Sequence, residues 1–171
     1  MNKSLRWISI PILVAAALLV GGAAQETDPA GAESTPGRTT AEYQAAERAI
    51  HNVFGWAVEK DFELFFATLA DDSAFVAVTP YDRVKFGIEA VRKDTAFWAN
   101  PDFKGIGHEI RDLRIRFSRS GEVAWFYCEL DDFNEWKGEP ANWENVRWTG
   151  VLEKRADRWR LVQHHMSFAK S

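Results

Sequence analysis

The sequence has a single cysteine, Cys128, and no zinc-binding motif. One thiol cannot form an internal disulfide, and nothing near it resembles an activated thiolate site, so we interpret Cys128 as a small buried apolar residue. Adjacent His164 and His165 would point to opposite faces of a strand and could not bind one ion together. His51 and His108 have no ligand at suitable spacing and are interpreted as surface histidines. We therefore predict no metal site and no cofactor.

An excess of basic residues is also missing. The chain has 21 Lys and Arg against 25 Asp and Glu, which gives a formal net charge of −4. Removal of Lys3 and Arg6 with an N-terminal signal would make that charge −6. No basic stripe is interleaved with aromatic residues, and an acidic chain repels phosphates, so nucleic acid is excluded as the expected partner.

The first 24 residues have the three parts of a secretory signal peptide. Lys3 and Arg6 precede an apolar run over residues 7–20, and the small residues Gly-Gly-Ala-Ala follow at 21–24. The alternative is an uncleaved anchor, but the run is shorter than the roughly 20 apolar residues that span a bilayer. We predict export to the periplasm or the cell exterior, with no stable membrane anchor after cleavage.

Residues 25–40 are rich in Pro, Gly, Ser, Thr and Glu and contain almost no apolar bulk. Such a segment cannot bury enough surface to offset the entropy of ordering, which predicts a flexible linker. Residues 41–169 then suit one domain with its own core, and we find no internal repeat.

The pattern of apolar residues in 41–169 predicts helices first and strands afterwards. Helices are expected at 41–60, 62–69 and 88–98, with a short strand at 74–79 between the second and the third. Four longer strands are expected at 107–118, 123–136, 142–154 and 158–168, joined by hairpin turns. This order predicts an α+β fold in which a strongly curved antiparallel sheet wraps the long first helix and leaves a cone between them.

The last two strands carry a family resemblance. A Trp opens the final strand and a His-x-Ser closes it, at Trp159, His165 and Ser167, and the strand before it carries an Arg-x-Thr, at Arg147 and Thr149. The segment 41–169 resembles the nuclear transport factor 2-like superfamily with its cystatin-like cone, in particular the SnoaL-like and calmodulin-kinase association-domain branches. That superfamily includes isomerases, dehydratases, cyclases and oligomerisation domains, so the resemblance implies a fold and not one function.

The resemblance implies that Arg147 and Thr149 point into the cone. Strand alternation places Gln163, His165 and Ser167 on the face that Trp159 and Leu161 begin, although a one-residue slip would reverse the faces. The ligand-binding residues predicted on this basis are Arg147, His165, Tyr127, Gln163, Ser167, Thr149, Trp125, Trp159 and Phe54. Arg147 would bind the carboxylate or enolate of a small organic ligand. Alternatively, Arg147 pairs with Glu129 or Glu144, and His165 satisfies a backbone group.

An enzyme of the lyase or isomerase class is a second hypothesis. It needs a base in a dry cavity and a donor that steadies an enolate. The candidate bases are His165, Glu129 and Asp72, and Tyr127 or Tyr81 is the candidate donor. Asp72 is equally explained as a turn residue, and Glu129 as a solvated strand residue.

A third hypothesis is a dimerisation module whose pocket is vestigial. Trp136, Trp143 and Trp148 lie around one predicted hairpin. If Arg147 faces inward, Trp148 faces outward, where members of the superfamily commonly form dimers, and exposed aromatic surface marks partner sites. The alternative is that the chain's own loops bury these rings. We expect a homodimer under each of the three hypotheses.

Overall fold

The structure, a computed structural model, describes residues 39–169 of the chain. The predicted signal peptide and almost all of the predicted linker lie outside the described residues. The first helix begins at Thr40, one residue before the predicted domain boundary. Within 39–169, no helix is long and apolar enough to cross a membrane.

The long first helix, α1, spans Thr40–Gly55. The side chain of Thr39 caps it by accepting a hydrogen bond from the backbone N–H of Glu42 at 3.3 Å. The residues of α1 that face the core are spaced at three or four positions, as an amphipathic helix requires; they are Ala46, Ala49, Ile50 and Val53. The predicted extension of this helix to residue 60 is wrong, because the chain forms turns from residue 56 onward.

Three shorter helices follow: α2 at Phe62–Thr68, α3 at Ile88–Arg92 and α4 at Thr95–Trp98. Asp61 caps α2 by accepting a hydrogen bond from the backbone N–H of Leu64 at 2.9 Å. The predicted single helix at 88–98 is instead the pair α3 and α4.

The strands form one curled sheet, which contains seven strands within the described residues. They are β1 Val76–Val78, β2 Val84–Phe86, β3 Phe103–Phe117, β4 Val123–Trp136, β5 Glu139–Pro140, β6 Trp143–Arg155 and β7 Arg158–Phe168. The order across the sheet is β2-β1-β7-β6-β4-β3, with β5 paired to β4. The predicted four-strand meander is confirmed, but β1 pairs in parallel with β7, so the sheet is mixed.

Register shifts bend this sheet around α1. They occur twice between β3 and β4, once between β4 and β6 and once between β6 and β7. Each extra residue in a strand increases the local twist and bend. One side of the sheet, the helix-facing side, packs on α1, and the opposite side is the outer face. Cys128 is fully buried on the helix-facing side, and burial raises the pKa of its thiol to about 12, so it is an inert core residue.

The predicted inward direction of Arg147 and Thr149 is wrong. On β6, Val146 and Trp148 are fully buried, whereas Arg147 and Thr149 are exposed on the outer face. Burying the Trp148 ring removes far more apolar surface from water than burying the two polar side chains would. The hydrophobic effect therefore decides which alternate side chains of this strand face the helix.

The neighbouring strand β4 follows the same phase. Its alternate residues Ala124 and Phe126 are buried, so Trp125 and Tyr127 lie on the outer face. The predicted inward direction of Trp125 and Tyr127 is therefore also wrong.

A bulge in β7 explains why its predicted faces are wrong at one end only. Leu152 pairs with Leu161 while Val151 pairs with Gln163, which leaves Val162 as an extra residue. Trp159 and Leu161 precede the bulge and are buried, as predicted. After the bulge the phase reverses: His164 and Met166 face the core, and Gln163, His165 and Ser167 lie on the outer face.

Gly105 allows β3 to approach the end of α1 closely. A Cβ at Gly105 would lie 2.6 Å from the backbone carbonyl carbon of Ala57, a contact that side-chain movement cannot relieve.

We expect Gly105→Ala to lower the free energy of unfolding by about 2 kcal/mol, measured by urea denaturation. The control is Gly55→Ala, whose Cβ would make only an ordinary 3.5 Å contact with His108. Equal stability of the two variants would contradict this explanation.

Candidate functional site

Two histidines that are far apart in sequence meet on the helix-facing side of the sheet. Nδ1 of His51, on α1, lies 3.0 Å from Nε2 of His108, on β3, so one ring donates a hydrogen bond and the other accepts it. Both residues are partly buried. His51 belongs to the turn of α1 that faces the sheet, and a register shift between Gly105 and Gly107 precedes His108.

The surroundings of His108 disfavour the charged form of its ring. Burial lowers the pKa of His108, and the nearby His51 lowers it further. A neutral imidazole has one nitrogen that can accept a proton, so His108 can act as a base at neutral pH.

Asp132 of β4 lies directly opposite His108 in the sheet register. Burial raises the pKa of its carboxyl to about 6. A 2.8 Å hydrogen bond from Nδ2 of Asn134 lowers that pKa, but by less than burial raises it. Adjacent Asp131 lies on the outer face and pairs with Arg111, which lowers the pKa of Asp131. Asp132 therefore holds a proton much closer to neutral pH than an ordinary carboxyl does.

Two buried ring nitrogens further along the helix-facing side of the sheet have no hydrogen-bond partner among the described residues: Nε1 of Trp148 and Nδ1 of His164. The two rings stand edge to face with their centroids 6.3 Å apart. Burial, together with the nearby His165, lowers the pKa of His164 to about 4, so its ring is neutral. An unpaired buried polar group costs about 1–3 kcal/mol, and native proteins usually satisfy such groups with water or ligand.

Aromatic rings surround these polar groups. Phe54 of α1 contacts Trp148 edge to face at 5.0 Å, and its ring centroid is 6.3 Å from that of His108. Trp143 lies opposite Asp132 in the register. Phe54 therefore links the histidine pair to the buried Trp148 ring on the helix-facing side.

We call His51, His108 and Asp132 the His-Asp cluster. Nowhere in residues 39–169 do three His, Cys, Asp or Glu side chains converge closely enough to hold a metal ion, and this includes the cluster. His108 and Asp132 are register partners on neighbouring strands, so an imidazole and a readily protonated carboxyl start from facing positions of the sheet.

The ligand residues predicted from the sequence come together, but mostly on the outer face. Those on the outer face are Arg147, His165, Tyr127, Gln163, Ser167, Thr149 and Trp125. Part of this set lines an open groove of about 410 Å³. Nη2 of Arg147 donates a hydrogen bond to the backbone carbonyl of Phe168 at 3.1 Å. Only Phe54 and Trp159 lie on the helix-facing side, where Nε1 of Trp159 donates to Glu42 at 3.3 Å.

None of the predicted bases joins the His-Asp cluster. Asp72 accepts hydrogen bonds from Arg155 and from the backbone N–H of Ala74, and the bond from Arg155 is the largest cause of its lowered pKa. Glu129 lies on the outer face within 3.9 Å of Arg111. His165 is exposed there as well.

The predicted donor Tyr81 is 64% exposed, and its ring contacts the rings of Trp143 and Phe168.

Sequence reasoning missed the cluster because it treated His51 and His108 as isolated residues. One signal was present: His51 lies next to Ile50 and three positions before Phe54, within the predicted apolar face of the first helix. A polar residue at such a position is more informative than one on a solvated face.

Comparisons with known proteins agree with this architecture. A model of the SnoaL-like domain matches residues 46–171. Among solved structures, a proposed dehydratase of the NTF2-like family from Streptomyces avermitilis is 18% identical, with a TM-score of 0.63, over 77% of this chain and 98% of that one. A search of curated proteins finds no match.

Two further solved structures are similar. A proposed scytalone dehydratase from Novosphingobium aromaticivorans is 15% identical, with a TM-score of 0.64, over 76% of this chain and 85% of that one. A proposed calcium/calmodulin-dependent protein kinase II association domain from Xanthomonas campestris is 19% identical, with a TM-score of 0.58, over 81% and 94% of the two chains. At these identities the likeness shows the fold alone.

The proton affinity of Asp132 should be visible in the pH dependence of stability. Its raised pKa means that the folded state binds the proton more tightly than the unfolded state does. This contribution is complete below about pH 4 and is lost as the pH rises through about 6. Asp132→Asn should therefore match the wild type near pH 4 and exceed its free energy of unfolding by about 2 kcal/mol near pH 7.

Urea denaturation at several pH values measures this difference, and Asp131→Asn is the matched control. The lowered pKa of Asp131 predicts the opposite sign, so Asp131→Asn should be less stable than the wild type near pH 7. A wild type more stable than Asp132→Asn at pH 7 would show that Asp132 is not a buried acid of raised pKa.

Proposed function

Because the chain belongs to the SnoaL-like domain family, we propose that it binds a small carbonyl-bearing organic ligand at the His-Asp cluster and acts on it as a lyase that eliminates water. The observation that carries this proposal is the 3.0 Å contact between Nδ1 of His51 and Nε2 of His108, together with the position of Asp132 opposite His108 in the sheet register. General acid–base catalysis needs one group that gives up a proton and one that takes it up, and the raised pKa of Asp132 and the free ring nitrogen of His108 support these two roles.

The proposed substrate is a β-hydroxy ketone. His108 removes a proton from the carbon beside the carbonyl, and His51 positions the His108 ring through their hydrogen bond. The electron pair of the broken C–H bond forms the new carbon–carbon double bond as the C–O bond to the hydroxyl breaks. The leaving hydroxide takes a proton from the carboxyl of Asp132, so the products are a conjugated enone and water.

The polar nitrogens deeper in the fold would orient this substrate. Nε1 of Trp148 can only donate a hydrogen bond, and a ketone oxygen can only accept one. Such a contact would satisfy an indole N–H that lacks a partner among the described residues. Phe54, which packs on Trp148, would form part of the apolar wall.

The similar structures from Streptomyces avermitilis and Novosphingobium aromaticivorans both have dehydratase names, and these names support a lyase over a passive binding domain. A ligand-binding protein without turnover is the coarser form of the same proposal.

A specific observation favours a second role, the formation of a homodimer through the outer face. Trp125 is 49% exposed there, beside Tyr127 and Val151. The predicted interface residue Trp148 cannot serve, because it is fully buried. The similar association domain from Xanthomonas campestris carries a name that denotes assembly, which supports this role.

Our proposal for the place of action rests on the sequence of residues 1–24 alone. Their order of basic, apolar and small residues supports our proposal that the protein works outside the cytoplasm.

The lyase proposal predicts that His108→Gln abolishes most turnover. We expect the wild type to convert members of a panel of β-hydroxy ketones to enones, followed by the ultraviolet absorbance of the product. His108→Gln should lower kcat/KM by about a hundredfold to ten-thousandfold, because glutamine keeps a polar side chain but cannot take up the proton.

The matched control is His165→Gln, which changes an exposed histidine of the outer face and should leave kcat/KM unchanged. If no member of the panel is converted, or if His165→Gln loses activity while His108→Gln keeps it, the proposed site is wrong.

The dimer proposal predicts that Trp125→Glu gives a monomer. A charge on the outer face would have to be buried in the interface, which is costly. Light scattering after size-exclusion chromatography measures the mass of the wild type and the variant. Phe86→Glu is the control, because Phe86 is 72% exposed on β2 and outside the proposed interface. A monomeric wild type, or a dimeric Trp125→Glu variant, would contradict this role.

A further inference from the structure

An open cleft of about 730 Å³ lies away from the His-Asp cluster. Its apolar lining comes mainly from α2 and the residues that follow α2, and consists of Phe62, Phe66, Ala67, Leu69 and Ala70. Three arginines of the described residues also line it, Arg92 from α3, Arg155 from β6 and Arg160 from β7. Aromatic surface and guanidinium groups therefore meet in one concave place, although the chain as a whole is acidic.

Two of the three guanidinium groups are already held by carboxylates. Arg92 pairs with Asp71 at 2.8 Å and with Glu89 at 3.2 Å, and it lies 4.5 Å from the centroid of the Phe66 ring. Arg155 pairs with Glu153 at 2.7 Å, and its other partner is Asp72. These arginines shape the cleft, but their charge is largely neutralised.

Arg160 differs from them. It is partly buried and forms no ion pair with any residue that the structure describes. Its register partner Glu153 accepts hydrogen bonds from Arg155 instead. Burial and the nearby Arg158 and Arg155 lower the pKa of Arg160, and the more distant Asp71, which is paired with Arg92, offsets this only in part. A guanidinium in this setting gains from a carboxylate that it can hold through two parallel hydrogen bonds.

The floor of the cleft is fixed by backbone contacts. The N–H of Ala70 donates to the carbonyl of Leu161 at 2.8 Å, and Leu69 forms a bridge with the same residue. These contacts join the end of α2 to β7 next to Arg160. The binding groups are thus held on rigid elements, which lowers the entropy that a ligand must offset on binding.

We propose that this cleft is a second binding site, separate from the His-Asp cluster, for a small organic carboxylate with an aromatic body. Arg160 holds the carboxylate, and the rings of Phe62 and Phe66 contact the body. Glu63 and Asp71 also line the cleft and have the wrong sign for this ligand, but both are exposed, so water and salt screen their charges, and Asp71 is already paired with Arg92. The proposal does not depend on any chemistry at the His-Asp cluster.

Isothermal titration of the full chain with 2-naphthoate tests the site. Binding by the wild type is expected. Arg160→Gln should weaken it about tenfold or more, because glutamine cannot form the two charge-assisted hydrogen bonds that a guanidinium forms with a carboxylate. The uncharged 2-naphthamide should bind the wild type correspondingly more weakly than the acid does.

Two variants separate the cleft from other sources of affinity. Arg158→Gln removes the same charge from a neighbouring position that does not line the cleft, and it should leave naphthoate affinity unchanged. His108→Gln should also leave it unchanged, since the two sites are distinct. Absence of naphthoate binding, equal affinity of Arg160→Gln and wild type, equal weakening by Arg158→Gln, or loss of binding in His108→Gln would each overturn the proposal.

Discussion

The packing of α1 against one side of the curved sheet is the constraint from which the other features of this domain follow. The large rings of Trp148 and Phe126 pack on each other and must be shielded from water. The helix α1 covers them, and its residue Phe54 contacts Trp148. Gly150 shows how close this packing is, because a Cβ there would lie 2.6 Å from the Phe126 ring. The interior around Gly150 is therefore filled by aromatic side chains, and the partly buried polar groups of the His-Asp cluster lie beside this packing.

Burial acts on those groups in opposite directions, and this brings their proton affinities closer together. It raises the pKa of Asp132 and lowers that of His108, since in each case the charged form is the one that low polarity disfavours. In water a carboxyl and an imidazole differ by more than two pKa units. Burial thus brings the proton affinities of these two ordinary residues closer together than they are in water.

The architecture could be predicted from the sequence, because apolar periodicity, the Asp61 cap and the turn residues are local signals. The orientation of side chains could not, since each register shift reverses a face and leaves no clear local mark. The extra residue Val162 moved Gln163 and His165 to the outer face. His51 and His108 are 57 positions apart, and only the crossing of α1 over β3 makes them neighbours. Family resemblance did not help here, since the Arg-x-Thr that it emphasised lies on the outer face.

The contact between His51 and His108 also has a mechanical consequence. β3 is the outermost strand on its side of the sheet, so β4 is its single strand neighbour within the described residues. The histidine pair joins this edge strand to the helix across the opening of the cone. The free edge of the sheet is therefore held from two directions, by the backbone ladder with β4 and by a side-chain contact with the helix. The same two nitrogens that we propose for the chemistry thus also hold the edge strand in place.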